Sequence, residues 1–237
     1  MLNLFNTLLY QPLLNILVFL YQYLPGRDFG IAVIILTVLI KLVLYPLGSK
    51  SIKSQKALSE IQPKIKEIQE KYKDNKEEQT KQIFDLYRKE KVSPFSGCLP
   101  LLIQLPILIA IYRVFWRGLD PDQLKLLYSF VSNPGAINPM FLGLIDLSKP
   151  NIILAIFVGL AQFFQLRLIS GKKTPAKKDD ISSQVQKQMQ YFSPVFMLFI
   201  LIGLPSALGL YLLTTTLFTI AQQYIILKKN HEERGDN

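Results

Sequence analysis

Thirty-seven consecutive residues, Tyr191 to Leu227, carry no charged side chain. Gly203, Pro205 and Ser206 interrupt this run near its centre. A membrane-spanning helix needs about 20 apolar residues, because each residue rises ~1.5 Å and the hydrocarbon core is ~30 Å thick. The run is therefore long enough for two spans joined by a tight turn. Residues 29–47 hold a single charge, Lys41, and residues 99–111 and 151–166 hold none. These runs predict five transmembrane helices, at 29–48, 98–117, 151–169, 191–204 and 206–227. The fourth is short for a full crossing. A soluble protein can bury one such helix, but five would need more polar covering surface than this chain has left.

Composition fits that reading once the charges are located. The 237 residues include 27 Lys and Arg against 17 Asp and Glu, a net charge of +10, yet half are hydrophobic and mean hydropathy is +0.26. A disordered nucleic-acid binder would be polar throughout, so DNA is not an expected partner. One cysteine, Cys98, excludes a disulfide scaffold. Residues 50–91 carry 12 of the cations, 167–190 carry six, and the tail 228–237 carries three. The segments 1–28 and 118–150 carry only Arg27, Lys125 and Lys149. The positive-inside rule puts the first group in the cytoplasm and the second outside, with the N-terminus outside and the C-terminus inside. Anionic lipid is the natural counterpart of the cytoplasmic charge.

Residues 1–26 are apolar, but no Lys or Arg precedes Arg27, so they make a poor signal peptide. Gln11, Asn15 and Gln22 fall on one helical face. The expectation is an amphipathic helix lying in the outer interface, with a sixth span as the alternative. Residues 118–150 then form an extracytoplasmic loop.

The polar block 50–91 reads as a cytoplasmic helical hairpin. Leu58, Ile61, Ile65, Ile68 and Tyr72 recur at helical spacing, and Ile83, Leu86 and Tyr87 form a second stripe. Asp74-Asn75 separates them, and Asn75 with Glu78 suggests an N-cap with a capping box. Pro63 should kink the first helix. The hairpin is either a solvated carrier of positive charge or a docking element at the cytoplasmic mouth. Residues 170–190 follow as a second cytoplasmic loop, flexible over 170–180.

Lys41 is the sharpest feature inside the membrane. A charge at mid-span costs about 2.5–3.5 kcal/mol on insertion scales, which makes it a functional candidate. It could instead snorkel to the inner headgroups. Thr37, Lys41 and Tyr45 share one face at i, i+4 and i+8, which suits a wet cavity better than lipid. Gln104 and Tyr112 on the second span, Gln162 and Gln165 on the third, and Tyr211, Thr215 and Gln222 on the fifth add polar partners. Singly, such groups hydrogen-bond between helices. Together they allow a hydrophilic recess holding one positive charge. Arg113 and Arg117, beside Trp116, read as interfacial anchors. No nucleophile–base set, metal-ligand cluster or phosphate loop is visible, so no enzyme activity, cofactor or metal is expected. Acidic residues are absent from the spans, which weighs against a proton- or sodium-coupled transporter.

Three stretches resemble a known family. They are FGIAVIILTVLIKLVLYPL at 29–47, the run from QPKIKEIQEKY to VSPFSGCLPLLIQLPILIAIY at 62–112, and PSALGLYLLTTTLFTIAQQ at 205–223. In this order and spacing they resemble the bacterial YidC-type membrane protein insertases, related to the mitochondrial and chloroplast insertases. The resemblance implies an all-α polytopic membrane protein of five spans, with a cytoplasmic hairpin and a groove open to cytoplasm and lipid. It places Gln62, Pro63 and Lys64 in the hairpin motif. It puts the family's central positive residue at Lys41, where arginine is usual, so charge is kept and the planar fork is lost. Thr37 and Gln104 match groove positions, and Tyr211 matches a substrate-facing one, with Thr215 a turn beyond. Leu212 stands where the family often has an aromatic residue. The implied activity is insertion of nascent membrane proteins into a bacterial inner membrane, with the ribosome and the Sec translocon as partners. A small transporter or channel using the polar stripe as a pore is the alternative, and a structural assembly factor is a third reading. No internal repeat supports the pore.

Overall fold

The computed structural model describes residues 2–93, 99–117, 122–169 and 192–235. Cys98 and the loop 170–190 lie outside the described residues. The helices are α1 (Leu2–Phe5), α2 (Gln11–Tyr23), α3 (Phe29–Val43), α4 (Tyr45–Lys71), α5 (Lys76–Lys89), α6 (Leu99–Arg117), α7 (Ile152–Ile169), α8 (Phe192–Leu201) and α9 (Ser206–Gly235). A two-stranded antiparallel ribbon, β1 (Met140–Phe141) and β2 (Ile145–Asp146), pairs Met140 with Asp146 and Phe141 with Ile145.

Among the described residues two helices are long and apolar enough to cross a membrane, Ile152–Ile169 and Ser206–Lys228. Phe29–Val43 and Tyr45–Lys71 meet at a bend of 70° and make a third if they are one broken span. Leu102–Trp116 and Phe192–Leu201 are shorter apolar helices. The apolar run through Leu47 suggests a continuous helix to 48, but α3 stops at Val43. Pro46 is the cause. It has no N–H to donate to Leu42, and it sits comfortably in the first turn of the next helix. At the other end α9 continues past Leu227 to Gly235, where Lys228 and Lys229 begin its polar portion.

α7 presents Ile153, Phe157, Leu160, Phe164 and Leu168 to the outside at helical spacing. Its opposite side buries Leu154, Ala155, Val158 and Ala161. An apolar exterior of this kind suits lipid, where close packing replaces the hydrophobic effect between helices. Small residues permit that packing. A Cβ on Gly209 would stand 3.3 Å from Leu154 Cδ2, so α7 and α9 touch closely there.

The core gathers α2, α3, α6, α7 and α9. Phe29 lies edge-on to both Tyr21 and Phe115, with ring centroids 6.4 and 6.0 Å away. Such edge-to-face pairs add about 0.5–1.5 kcal/mol each beyond their buried area. Asp28 caps α3 by accepting from the Ile31 N–H at 2.9 Å, and its second oxygen accepts from the Leu142 N–H. That carboxylate holds a turn in which both Leu142 and Gly143 have positive φ, a geometry costly for leucine.

The polar face of the N-terminal helix is spent on the loop that follows α6. Gln11 and Asn15 donate to the Leu126 carbonyl, Asn15 accepts from the Tyr128 N–H, and Gln22 donates to the Ser132 carbonyl. Tyr21 accepts from the Asn138 N–H at 3.0 Å. These residues supply the backbone partners that an irregular loop lacks. Arg113 also belongs to this layer, 5.3 Å over the Phe5 ring and 3.4 Å from Asn6 Oδ1.

In the hairpin, Asn75 Oδ1 accepts from the Glu78 N–H at 3.1 Å, the N-cap that the sequence predicts. The capping box does not close, because the Asn75 N–H donates to the Tyr72 carbonyl and Glu78 accepts from Gln82. α4 continues through Pro63 as one helix with Ile61 and Ile65 buried. Lys64 pairs with Glu90 and holds that carboxyl below its ordinary range, chiefly by hydrogen bonding. Asn75→Ala should cost about 1 kcal/mol locally and raise amide exchange at residues 76–79 roughly fivefold. Hydrogen–deuterium exchange checks this, with α3 and α9 unchanged.

Candidate functional site

Two side-chain pairs converge on one face of α9. Tyr211, Thr215, Phe218 and Gln222 follow each other at steps of four, three and four, so they form a stripe along that helix. α3 and α6 approach it at different depths. Gln104 of α6 donates to the Tyr211 hydroxyl. About 10 Å further along, two turns of helix, Lys41 of α3 stands with its Nζ 6.0 Å over the Phe218 ring.

The sequence marks most of this stripe, and the structure shows what each member does. Thr37 is buried, and its hydroxyl donates to the Val33 carbonyl at 2.6 Å. Tyr211 is also buried, at 1% exposure, with Gln104 and Thr215 against its hydroxyl. Gln104 is half-buried. Lys41 itself is half-buried, and among the described residues no carboxylate lies within ion-pair distance of it. The ring of Phe218 is its visible partner. A cation–π contact is worth about 0.5–2 kcal/mol, too little to neutralise a charge in a low-dielectric setting. The ammonium is thus left with unused capacity for an anionic group.

Gln62, Pro63 and Lys64 lie on α4, in the hairpin, well along the chain from this stripe. Gln162 lies on α7, half-buried, with its amide oxygen unpartnered among the described residues. Tyr112 stacks on Trp116 at 5.7 Å. Phe218 is the residue that sequence reasoning misses. Its signal was present, since it falls on the same face as Tyr211 and Gln222, but a phenylalanine in an apolar helix carries no mark of its own. Among the described residues no group of three His, Cys, Asp or Glu could hold a metal ion.

Tyr211→Phe should lower thermal stability in detergent, because it strips Gln104 of its acceptor and costs about 1–2 kcal/mol. Adding Gln104→Leu should recover much of that loss, since removing both partners of a buried hydrogen bond is nearly neutral. A melting series on the two single variants and the double variant checks both signs.

The sequence model of the 60Kd inner membrane protein family matches residues 19–233. A curated relative, "Membrane protein insertase YidC" of Francisella tularensis subsp. novicida (strain U112), is 36% identical over 201 residues, 85% of this chain and 33% of that one. The protein of the same name from Francisella tularensis subsp. tularensis (strain WY96-3418) matches equally, at 36% over 201 residues with the same coverage of each chain. The chain thus spans about a third of the length of the curated relatives it matches. Among solved structures, "Active YidC insertase crystal structure with the first transmembrane domain resolved" superimposes with a TM-score of 0.60 at 29% identity. That match covers 91% of this chain and 46% of the other. With a family match that takes in the whole α9 stripe and Lys41, this chain belongs to the 60Kd inner membrane protein family, the family of the YidC-type insertases.

Proposed function

We propose that this protein is a membrane protein insertase and chaperone that receives nascent hydrophobic segments and releases them sideways into the bilayer. The observation that carries the proposal is Lys41, a cation held among apolar helices over Phe218 with no carboxylate partner among the described residues. Five spans serve this role: α3 with the first turn of α4, then α6, α7, α8 and α9. The termini lie on opposite sides, N-terminus outside and C-terminus inside, in a bacterial inner membrane.

In this mechanism the polar flank of a nascent span enters a groove between α3, α6 and α9 from the cytoplasm. Lys41 attracts acidic residues of that flank, and Thr37, Gln104, Tyr211 and Thr215 line the path. The groove shortens the apolar barrier that the flank must cross. The apolar span then leaves between helices into lipid, driven by burial of its own surface. Hydrophobic transfer and the membrane potential supply the free energy. The hairpin around Gln62, Pro63 and Lys64 meets the ribosome, anionic lipid attracts its cations, and the Sec translocon is a second partner.

Reconstitution tests the proposal. Proteoliposomes holding the purified protein should insert a single-span substrate with an acidic N-tail, well above empty liposomes. Absence of insertion together with saturable flux of a small solute would replace the proposal with the transporter reading.

A further inference from the structure

Gln222 is 3% exposed, one turn beyond Phe218 on α9. Its amide nitrogen donates to the Tyr45 carbonyl at 3.0 Å and lies 3.0 Å from Ser49 Oγ. Tyr45 is the first residue of α4, immediately past the 70° bend. The Ser49 hydroxyl donates to the same Tyr45 carbonyl at 2.9 Å. Gly48 completes the contact. A Cβ there would stand 3.1 Å from both Gln222 Nε2 and Gln222 Oε1, so the amide rests against bare backbone. A buried carboxamide costs free energy unless it is hydrogen-bonded, and this one is directed entirely at one helix joint.

The joint needs a tie. α3 and α4 are linked through Leu44 alone, and Pro46 removes a backbone hydrogen bond that would have stiffened the connection. Such a break is where a hairpin arm can swing. The contact also sits in register with the site. Lys41 meets Phe218, and four residues on in each segment, across the bend on one side and along α9 on the other, Tyr45 meets Gln222.

We propose that Gln222 is a positioning residue, a latch that fixes the direction in which the hairpin arm leaves the membrane helices and keeps that arm in register with Lys41. A swing of the arm breaks the Gln222 contacts one turn from the Lys41–Phe218 pair, so arm position and site geometry change together. The latch itself stands on geometry alone; its bearing on insertion rests on the insertase reading.

The test uses the full chain in lipid nanodiscs, with Cys98→Ser and spin labels at exposed positions 81 on α5 and 168 on α7. The parent protein should give one narrow interspin distance. Gln222→Met keeps the volume and removes the donor, and should add a second, broad population, shifting the balance roughly tenfold. Ser49→Ala should give a smaller shift, and no further shift when added to Gln222→Met, because the two share one contact. Gly48→Ala displaces the amide from the other side and gives the same readout if Gln222→Met does not accumulate. An unchanged distance in Gln222→Met or Gly48→Ala overturns the latch, as does a Ser49→Ala effect that persists in full without Gln222. Insertion measured on the same samples separates the two ideas. A broadened distance with insertion unaltered, in these variants and in Lys41→Ala alike, upholds the latch and overturns the insertase role of the site.

Discussion

Lys41→Ala is expected to lower insertion of a single-span substrate with an acidic N-tail by about one to two orders of magnitude, while the protein itself becomes more stable. Both signs follow from the same placement. At an effective dielectric of about 20, two unit charges 4 Å apart attract by ~4 kcal/mol, and partial exposure reduces this toward the 1.4–2.8 kcal/mol that such a loss represents. In the substrate-free protein the same charge, in the last turn of α3, has only Phe218 as a visible partner among the described residues, so removing it relieves part of the cost of holding an unpaired charge among apolar helices. Lys41→Arg keeps the charge and should retain most activity. Lys41→Glu should reject acidic tails more strongly than alanine does. A merely structural lysine would show the opposite pattern, with alanine folding poorly and insertion falling in proportion to protein level. The check is insertion per folded molecule beside a melting curve in detergent.

The second large effect is at Gly30. A Cβ on this residue would stand 2.2 Å from Phe141 Cδ2, 2.4 Å from Cγ and 2.7 Å from Cβ. The last two atoms are the root of the side chain, so rotation of the ring cannot clear the space. The ribbon cannot easily withdraw either, because Asp28 holds Leu142 and the Ala207 N–H donates to the Leu147 carbonyl at 3.0 Å. Gly30→Ala should therefore cost about 3 kcal/mol or more, at the upper end of overpacking penalties. Phe141→Ala carries the separate cost of removing a half-buried ring packed against the core. Combined with Gly30→Ala it should restore only part of the stability, because the Cβ at 141 still stands 2.7 Å from the new methyl, and this partial non-additivity would identify the contact as the cause. Thermal unfolding of the two single variants and the double variant decides it.

How much of this was legible in the sequence depends on what kind of signal each element carries. The apolar runs mark α3, α6, α7, α8 and α9, because hydropathy sums over many residues. Asn75 was readable as a cap, since capping is local chemistry within one turn. Other features depend on partners distant in the chain. Gln11, Asn15 and Gln22 were visible as a polar face, but periodicity shows only that a face is polar, and the loop 123–138 that it holds is more than 100 residues away. The bend after Val43 was hidden by composition, because Leu44, Tyr45 and Leu47 continue the apolar run while Pro46 ends the helix.

At the candidate site the polar residues were readable and their pairing was not. Tyr211 and Gln104 each look like groove-lining groups, and the structure adds that they hydrogen-bond to each other. Phe218 was silent because its role comes only from the cation above it.

The central claim is that nascent chains pass along the seam between α3, α6 and α9. Photoreactive residues placed singly at 37, 104 and 211, in the membrane with ribosome-bound chains halted at increasing lengths, test it most directly. Adducts with the nascent span are expected at all three positions, appearing at one window of chain length and weakened by Lys41→Ala. Adducts confined to lipid and to the protein's own helices, at every length, would contradict it.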